Sequence, residues 1–207
     1  MPACSPTCTA IYADAAALGT TLGAGATVYE PVDYNGGTRE RLGVVQADQE
    51  LTAAGLARQA AAVWTSTSAG AFTLTALPAV DGTGDPQVSW LLEADGKRVL
   101  HLGDTMWHGW WWRIGERYGP PDVLLAPING PRLTFPHRQP ASSLPGAMDP
   151  EQAALAAELL QADRLVPIHY GGYDLPGVYE PVTNALERLA AGSHRATAMK
   201  VGETIVV

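Results

Sequence analysis

Residues 87–105 read QVSWLLEADGKRVLHLGDT, and the reading of this stretch decides the fold. Two apolar runs flank Asp95-Gly96, the dipeptide that most strongly signals a two-residue hairpin turn. Gln87–Glu93 and Lys97–Leu102 are therefore predicted to pair as strands, and the second delivers Gly103-Asp104-Thr105 at its end. Upstream, Phe72–Ala79 alternates as a third strand and stops just before Asp81-Gly82. Downstream, the spacing predicts a helix over Trp107–Tyr118, closed by Gly119-Pro120-Pro121. Asp122–Pro127 reads as a buried strand. The Pro-rich segment from Ile128 to Met148 is longer than a simple connector needs. Asp149-Pro150-Glu151-Gln152 then supplies an N-cap, a proline at the first helical position and a capping box, for a helix running to about Gln161.

Further out, strand Arg164–His169, helix Pro181–Ala191 and two terminal strands, Thr197–Val201 and Thr204–Val207, are expected. Toward the N-terminus, Asp14–Leu22 reads as a short helix and Ala26–Tyr29 as a small strand. Asn35–Thr67 is ambiguous, with a helix expected around Thr52–Val63. Hairpins followed by strand–helix alternation imply an α/β layered fold in a single domain over residues 1–207, without repeats or a linker.

The 207 residues are 46% hydrophobic and 16% charged, a globular balance with room for a proper core. No apolar run approaches the ~20 residues of a membrane span. The first residues lack the basic and apolar regions of a secretory signal, so the expected location is the cytoplasm. The net charge is −8, with scattered basic residues, which argues against nucleic acid or an anionic membrane as partner. Cys4 and Cys8 form a lone Cys-x-x-x-Cys pair with no second pair to complete a metal clip.

Three segments share one grammar, a strand ending on a potential metal ligand: Leu74–Val80 at Asp81, Lys97–Leu102 at Asp104, and Leu165–Ile168 at His169-Tyr170-Gly171-Gly172. Strand ends are held rigidly yet open onto a crevice, and carboxylate with imidazole suits zinc, or iron or manganese in an oxygen-rich site. Each residue also has a plainer reading. Asp104 would serve as a turn or N-cap residue, His169 as a hydrogen-bonded core histidine, and Asp81 as half of an Asp-Gly turn.

Taken together, these segments resemble the metallo-β-lactamase superfamily, in particular its L-ascorbate-6-phosphate lactonase-like branch. The likeness rests on Leu77-Pro78-Ala79, the hairpin, Leu102-Gly103-Asp104-Thr105, Pro127-Ile128-Asn129-Gly130, Met148-Asp149-Pro150-Glu151-Gln152-Ala153 and Pro167-Ile168-His169-Tyr170-Gly171. It implies an αββα sandwich, here incomplete, with one or two zinc ions at the sheet edge, manganese or iron being alternatives. Asp104 would bridge two metals and His169 would be the last histidine ligand, while Asp81 stands where the family usually has histidine. His108 and His137 could reach substrate, or lie at the surface. Tyr170 and Tyr173 could flank substrate or pack structurally. Trp107 and Trp111, four apart, suit the core. Of Trp110 and Trp112, one is expected to line a substrate pocket or a contact between copies in a homo-oligomer.

The superfamily's His-x-His-x-Asp-His motif should precede the first helix, and its four ligand positions fall on Thr7, Thr9, Ile11 and Tyr12. None is a usual zinc ligand. Plausible codons for Pro6–Asp14, read one base earlier and with one base dropped at Tyr12, spell His-Leu-His-Gly-Asp-His-Ala-Asp. Residues 1–13 are thus expected to be a frame artefact before an N-terminally truncated domain, with a drifted homologue as the alternative. Two functions follow from the likeness. One is a metal-dependent hydrolase that opens a small-molecule lactone, ester, amide or phosphoester with a metal-bound hydroxide, largely inactive in this form. The other is a non-catalytic binding or assembly protein on the same scaffold.

Overall fold

The leucines of the hairpin stretch form one row of a leucine ladder across a mixed sheet. A computed structural model describes residues 14–32, 38–81, 87–136 and 139–207. In chain order its elements begin with α1 (Ala15–Leu22), β1 (Thr27–Pro31), α2 (Thr38–Ala53), β2 (Ala57–Ala61), β3 (Ser66–Ala69) and β4 (Phe72–Pro78). They continue with β5 (Val88–Ala94), β6 (Lys97–His101), α3 (Trp111–Tyr118), β7 (Val123–Pro127) and β8 (Arg132–Leu133). Last come α4 (Pro150–Leu159), β9 (Arg164–Ile168), β10 (Tyr179–Glu180) and α5 (Ala185–Gly192).

The principal sheet has the order β3-β4-β5-β6-β7-β9. Pairing is antiparallel from β3 to β6 and parallel from β6 through β7 to β9. Asp95 and Gly96 both have positive φ, 50° and 75°, as a two-residue hairpin turn requires. The parallel steps need crossovers, and α3 and α4 provide them. In this register Leu91 faces Leu100, Leu100 faces Leu124 and Leu124 faces Leu165, and each is at most 2% exposed. Trp111 and Ile114 of α3, Ala153, Ala156 and Ala157 of α4 and Leu189 of α5 complete that core. The small side chains let α4 approach the sheet closely.

The direction of the strands positions the site. Because β4, β6, β7 and β9 run the same way, their C-terminal ends share one sheet edge. A smaller unit holds α1, α2 and the parallel pair β1–β2, around Ala15, Leu51 and Leu56. The α/β layered class is therefore as expected, and so is the capping box at Asp149; Asp14, expected as the first residue of α1, is instead its N-cap.

Several element boundaries differ. The helix expected over Thr52–Val63 lies earlier, at Thr38–Ala53. Gly55 (φ 72°) turns the chain, and Ala57–Ala61 pairs with β1. The alanine-rich run is drawn into a strand by that pairing and by Arg58, whose Nη2 lies 2.7 Å from Glu30. Helix α3 begins at Trp111 rather than Trp107, because the preceding backbone is committed elsewhere. The Met106 N–H donates to the Val80 carbonyl and the Trp110 N–H to His108 Nδ1. Helix α5 begins at Ala185 rather than Pro181, since Asn184 is left-handed and the Val182 N–H is held by the Asn129 carbonyl. The long loop contains β8, paired with β10. Residues 197–207 form no strand: beyond the Leu165–Ala196 bridge the chain leaves the sheet, and Val201 is fully exposed with no face to bury it.

Candidate functional site

Asp104 stands just past β6 and His169 just past β9, on either side of the end of β7. Their side chains meet at the sheet edge, with Asp104 Oδ2 3.7 Å from His169 Nε2. Both are largely buried, at 7% and 14% exposure. Gly103 (φ 68°) makes the turn that presents Asp104, and Gln87 Nε2 donates to Asp104 Oδ1. His169 adopts φ 55°, a conformation that costs a non-glycine residue about 1–3 kcal/mol and is concentrated at functional sites. Burial lowers the pKa of the His169 imidazole below its ordinary value, so the ring is neutral at pH 7 and offers a lone pair.

The plain reading of Asp104 as a helix cap does not apply to α3, whose N-cap is Trp110. Thr105 fastens the neighbouring loop to the same edge, its Oγ1 accepting from the Val80 N–H at 2.9 Å. That clasp brings the end of β4, and with it Asp81, to the edge where Asp104 and His169 lie. Among the described residues, no group of three His, Cys, Asp or Glu side chains is placed to hold a metal ion.

The remaining sequence candidates lie elsewhere. His108 is not at the surface: it is 8% exposed and stacks on Trp111 with ring centroids 3.9 Å apart. Its Nδ1 accepts from the Trp110 N–H, so the neutral ring carries its proton on Nε2, and burial pushes its pKa down to about 4. Trp107 packs against Trp111 in the core, whereas Trp110 and Trp112 are exposed. Trp110 meets the edge of Trp64, and Arg113 lies over both rings. His137 lies outside the described residues, as do Thr7, Thr9, Ile11 and Tyr12. Tyr170 and Tyr173 line an open cleft of about 460 Å³ next to His169, together with the start of α5.

Two polar residues of this edge received no role from the sequence. In the sequence, Gln87 marks only the start of a strand. Asn129 sits past the end of β7, the same grammar that singled out Asp104 and His169. Gly130 holds it close to α4: a Cβ at that position would lie 2.6 Å from the Asp149 Cβ.

Residues 13–170 match the Beta-lactamase superfamily domain. The chain belongs to that superfamily. Its similarity to curated relatives includes a UPF0173 metal-dependent hydrolase of Thermococcus kodakarensis, 31% identical over 126 residues, 61% of this chain and 48% of that protein. Another, from Rubrobacter xylanophilus, is 34% identical over 141 residues, 66% of this chain and 51% of that one. The superfamily member described here thus spans about half the length of these relatives. Among solved structures, Igni18, a metallo hydrolase of Ignicoccus hospitalis, superposes with a TM-score of 0.57 at 24% identity, covering 87% of this chain and 78% of that one. The metallo-β-lactamase fold protein YhfI of Bacillus subtilis gives 0.61 at 14%, covering 89% and 68%. At these identities the superpositions establish the fold.

The superfamily implies a metal, and the donors present can be tested against one. Ligands about 2 Å from a tetrahedral ion stand about 3.3 Å apart, so the 3.7 Å pair needs only a small side-chain adjustment. Zinc sites take three or four protein ligands, however, and Gln87 already engages one oxygen of Asp104. The described residues fit two corners of a metal site and do not complete one.

Proposed function

We propose that this chain carries the C-terminal half of a metal-dependent hydrolase site of the lactonase-like branch, acting on a small-molecule lactone, ester, amide or phosphoester. The observation that carries this reading is the 3.7 Å approach of Asp104 and His169, from strands separated by β7, at the edge where four parallel strand ends open. Asp104 and His169 would hold the ion, zinc before manganese or iron, and Asp81 is the next candidate at that edge. A bound ion supplies Lewis acidity and lowers the pKa of a water toward 7. The chain's own residues would prepare the edge. Gln87 fixes the Asp104 carboxyl, burial keeps the His169 lone pair available, and the left-handed backbone at His169 aims the ring across β7. With two ligands rather than three among the described residues, metal affinity and turnover would be low, and the alternative of a binding protein without catalysis rests on the same count.

Restoring the missing ligands tests this. The quadruple variant Thr7→His, Thr9→His, Ile11→Asp, Tyr12→His should gain stoichiometric zinc and hydrolysis of an aryl ester or lactone. Adding Asp104→Ala should abolish both. A quadruple variant that folds like the parent yet gains neither zinc nor hydrolysis would contradict the proposal.

A further inference from the structure

Helix α3 turns four side chains to solvent: Trp112, Arg113, Glu116 and Arg117. At about 100° per residue they span roughly 140° of the helix, one face, opposite the buried Trp111 and Ile114. Trp112 is 62% exposed and Trp110, the N-cap of the helix, 41%, so two large aromatic surfaces meet water within three residues.

The two arginines stand one turn apart and lie on aromatic rings. The Arg113 guanidinium carbon is 5.2 Å from the centre of Trp64, and that of Arg117 is 5.6 Å from Trp64 and 5.4 Å from Tyr118. Trp64 holds this place in a left-handed conformation, φ 69°, which a bulky side chain keeps only where its surroundings impose it. Stacking covers one face of each guanidinium and leaves its N–H edge and its other face free. Among the described residues neither arginine meets a carboxylate. Glu116, three residues beyond Arg113 on the same face, meets no cation there either.

Exposed charges can be left to water, but the order of these four is specific. They stand symmetrically about the Ile114–Gly115 bond: Arg113 mirrors Glu116, and Trp112 mirrors Arg117. Two antiparallel copies of α3, related by a twofold axis over that bond, therefore bring each residue against its mirror. Arg113 meets the partner's Glu116, and Trp112 meets the free face of the partner's Arg117, each contact occurring twice. The face thus complements itself in charge and in shape of contact, and antiparallel packing also opposes the two helix dipoles. Two chains of net charge −8 repel at long range, least across a face that carries two arginines against one glutamate.

We propose that this chain forms a twofold dimer through the exposed face of α3, with a second copy as its occupant. The contact covers about two helical turns and their flanking rings, which places it among small, reversible interfaces. It does not depend on the hydrolase proposed above.

Charge exchange tests this, with sedimentation velocity on the whole chain over a micromolar concentration series. The parent should dimerise reversibly, and less as salt is raised. Arg113→Glu sets glutamate against glutamate across the axis, and Glu116→Arg sets arginine against arginine. Each alone should weaken the dimer about tenfold or more. Mixed in equal amounts, the two variants should pair with each other, because each supplies the charge that the other has lost. The double exchange should restore the homodimer. Trp112→Ala should weaken it about fivefold, and mixing with either variant should not recover that loss. All three positions are exposed, so circular dichroism should show the fold retained. A parent that stays monomeric throughout the series would overturn the proposal. So would a dimer that both single exchanges leave unchanged, or one that they weaken and the mixture fails to recover. A monomer that instead binds a hexaglutamate peptide would overturn it too, and would assign the face to an acidic foreign partner.

Discussion

The two halves of the molecule are stabilised on different scales. In the principal sheet, Leu91, Leu100, Leu124 and Leu165 meet in register across four strands, beneath Trp111 and an alanine-faced helix. In the N-terminal unit, the buried core among the described residues is Ala15, Leu51 and Leu56, with the partly buried Leu18, Ala26, Val28 and Ala54 packed against it. Each fully buried leucine contributes about 1.5–3 kcal/mol by leaving water, so the first unit is a core and the second a clasp. The difference teaches where a polar site can be held. Asp104 and His169 stand on strands locked by the leucine row, which can offset the strain at His169 and the burial of two polar side chains.

The largest effect that would sharpen this contrast is a cavity in the row. Leu124→Ala should cost about 3–5 kcal/mol in denaturant unfolding, because close-packed neighbours on both sides cannot collapse into the space. Leu51→Ala should cost about 2 kcal/mol or less and appear mainly as faster hydrogen exchange in β1 and β2. Equal and global losses would show that the two units form a single core.

Next in size is the response to acid. His101, His108 and His169 all have pKa values lowered by burial, and all lie in the sheet half. For His108 the folded value is about 4, below the ordinary 6.5, so between those pH values the unfolded chain binds a proton that the folded chain does not. Stability contributed by this difference is complete above about pH 6.5 and is lost as pH falls toward 4, by up to about 1.4 kcal/mol per pH unit for each such histidine. His108→Leu should flatten the acid limb of a stability–pH profile. Acid unfolding that began in β1–β2, where no histidine stands, would break the comparison.

The smallest effect is electrostatic. Arg58 ties β2 to Glu30 of β1 and to Asp48 of α2, in a partly exposed network. Arg58→Ala should lower stability by about 0.5–1 kcal/mol, less at high salt. A larger loss would mean that charge rather than packing holds the N-terminal unit.

The same contrast explains what could be read from the sequence. The hairpin, β7, the capping box of α4 and β9 were legible because apolar periodicity and turn chemistry agree there. The stretch from Asn35 to Thr67 was not, because alanine is compatible with helix and strand, and only pairing with β1 decides for Ala57–Ala61. The terminal valines look like strands locally, but no sheet face awaits them. At the site, Asp104 and His169 were marked by their places at strand ends. Asn129 occupies an equivalent place without being a usual metal ligand, so metal chemistry passed it over. The Gln87 contact joins two strands and has no local signal.

The most direct test of the Asp104–His169 pairing is metal binding by the purified chain, followed by cobalt(II) absorption and zinc analysis. The pairing predicts weak, substoichiometric binding that disappears in both Asp104→Ala and His169→Ala, with the fold retained. Binding that persists unchanged in both variants, or tight one-to-one zinc in the parent chain, would contradict it.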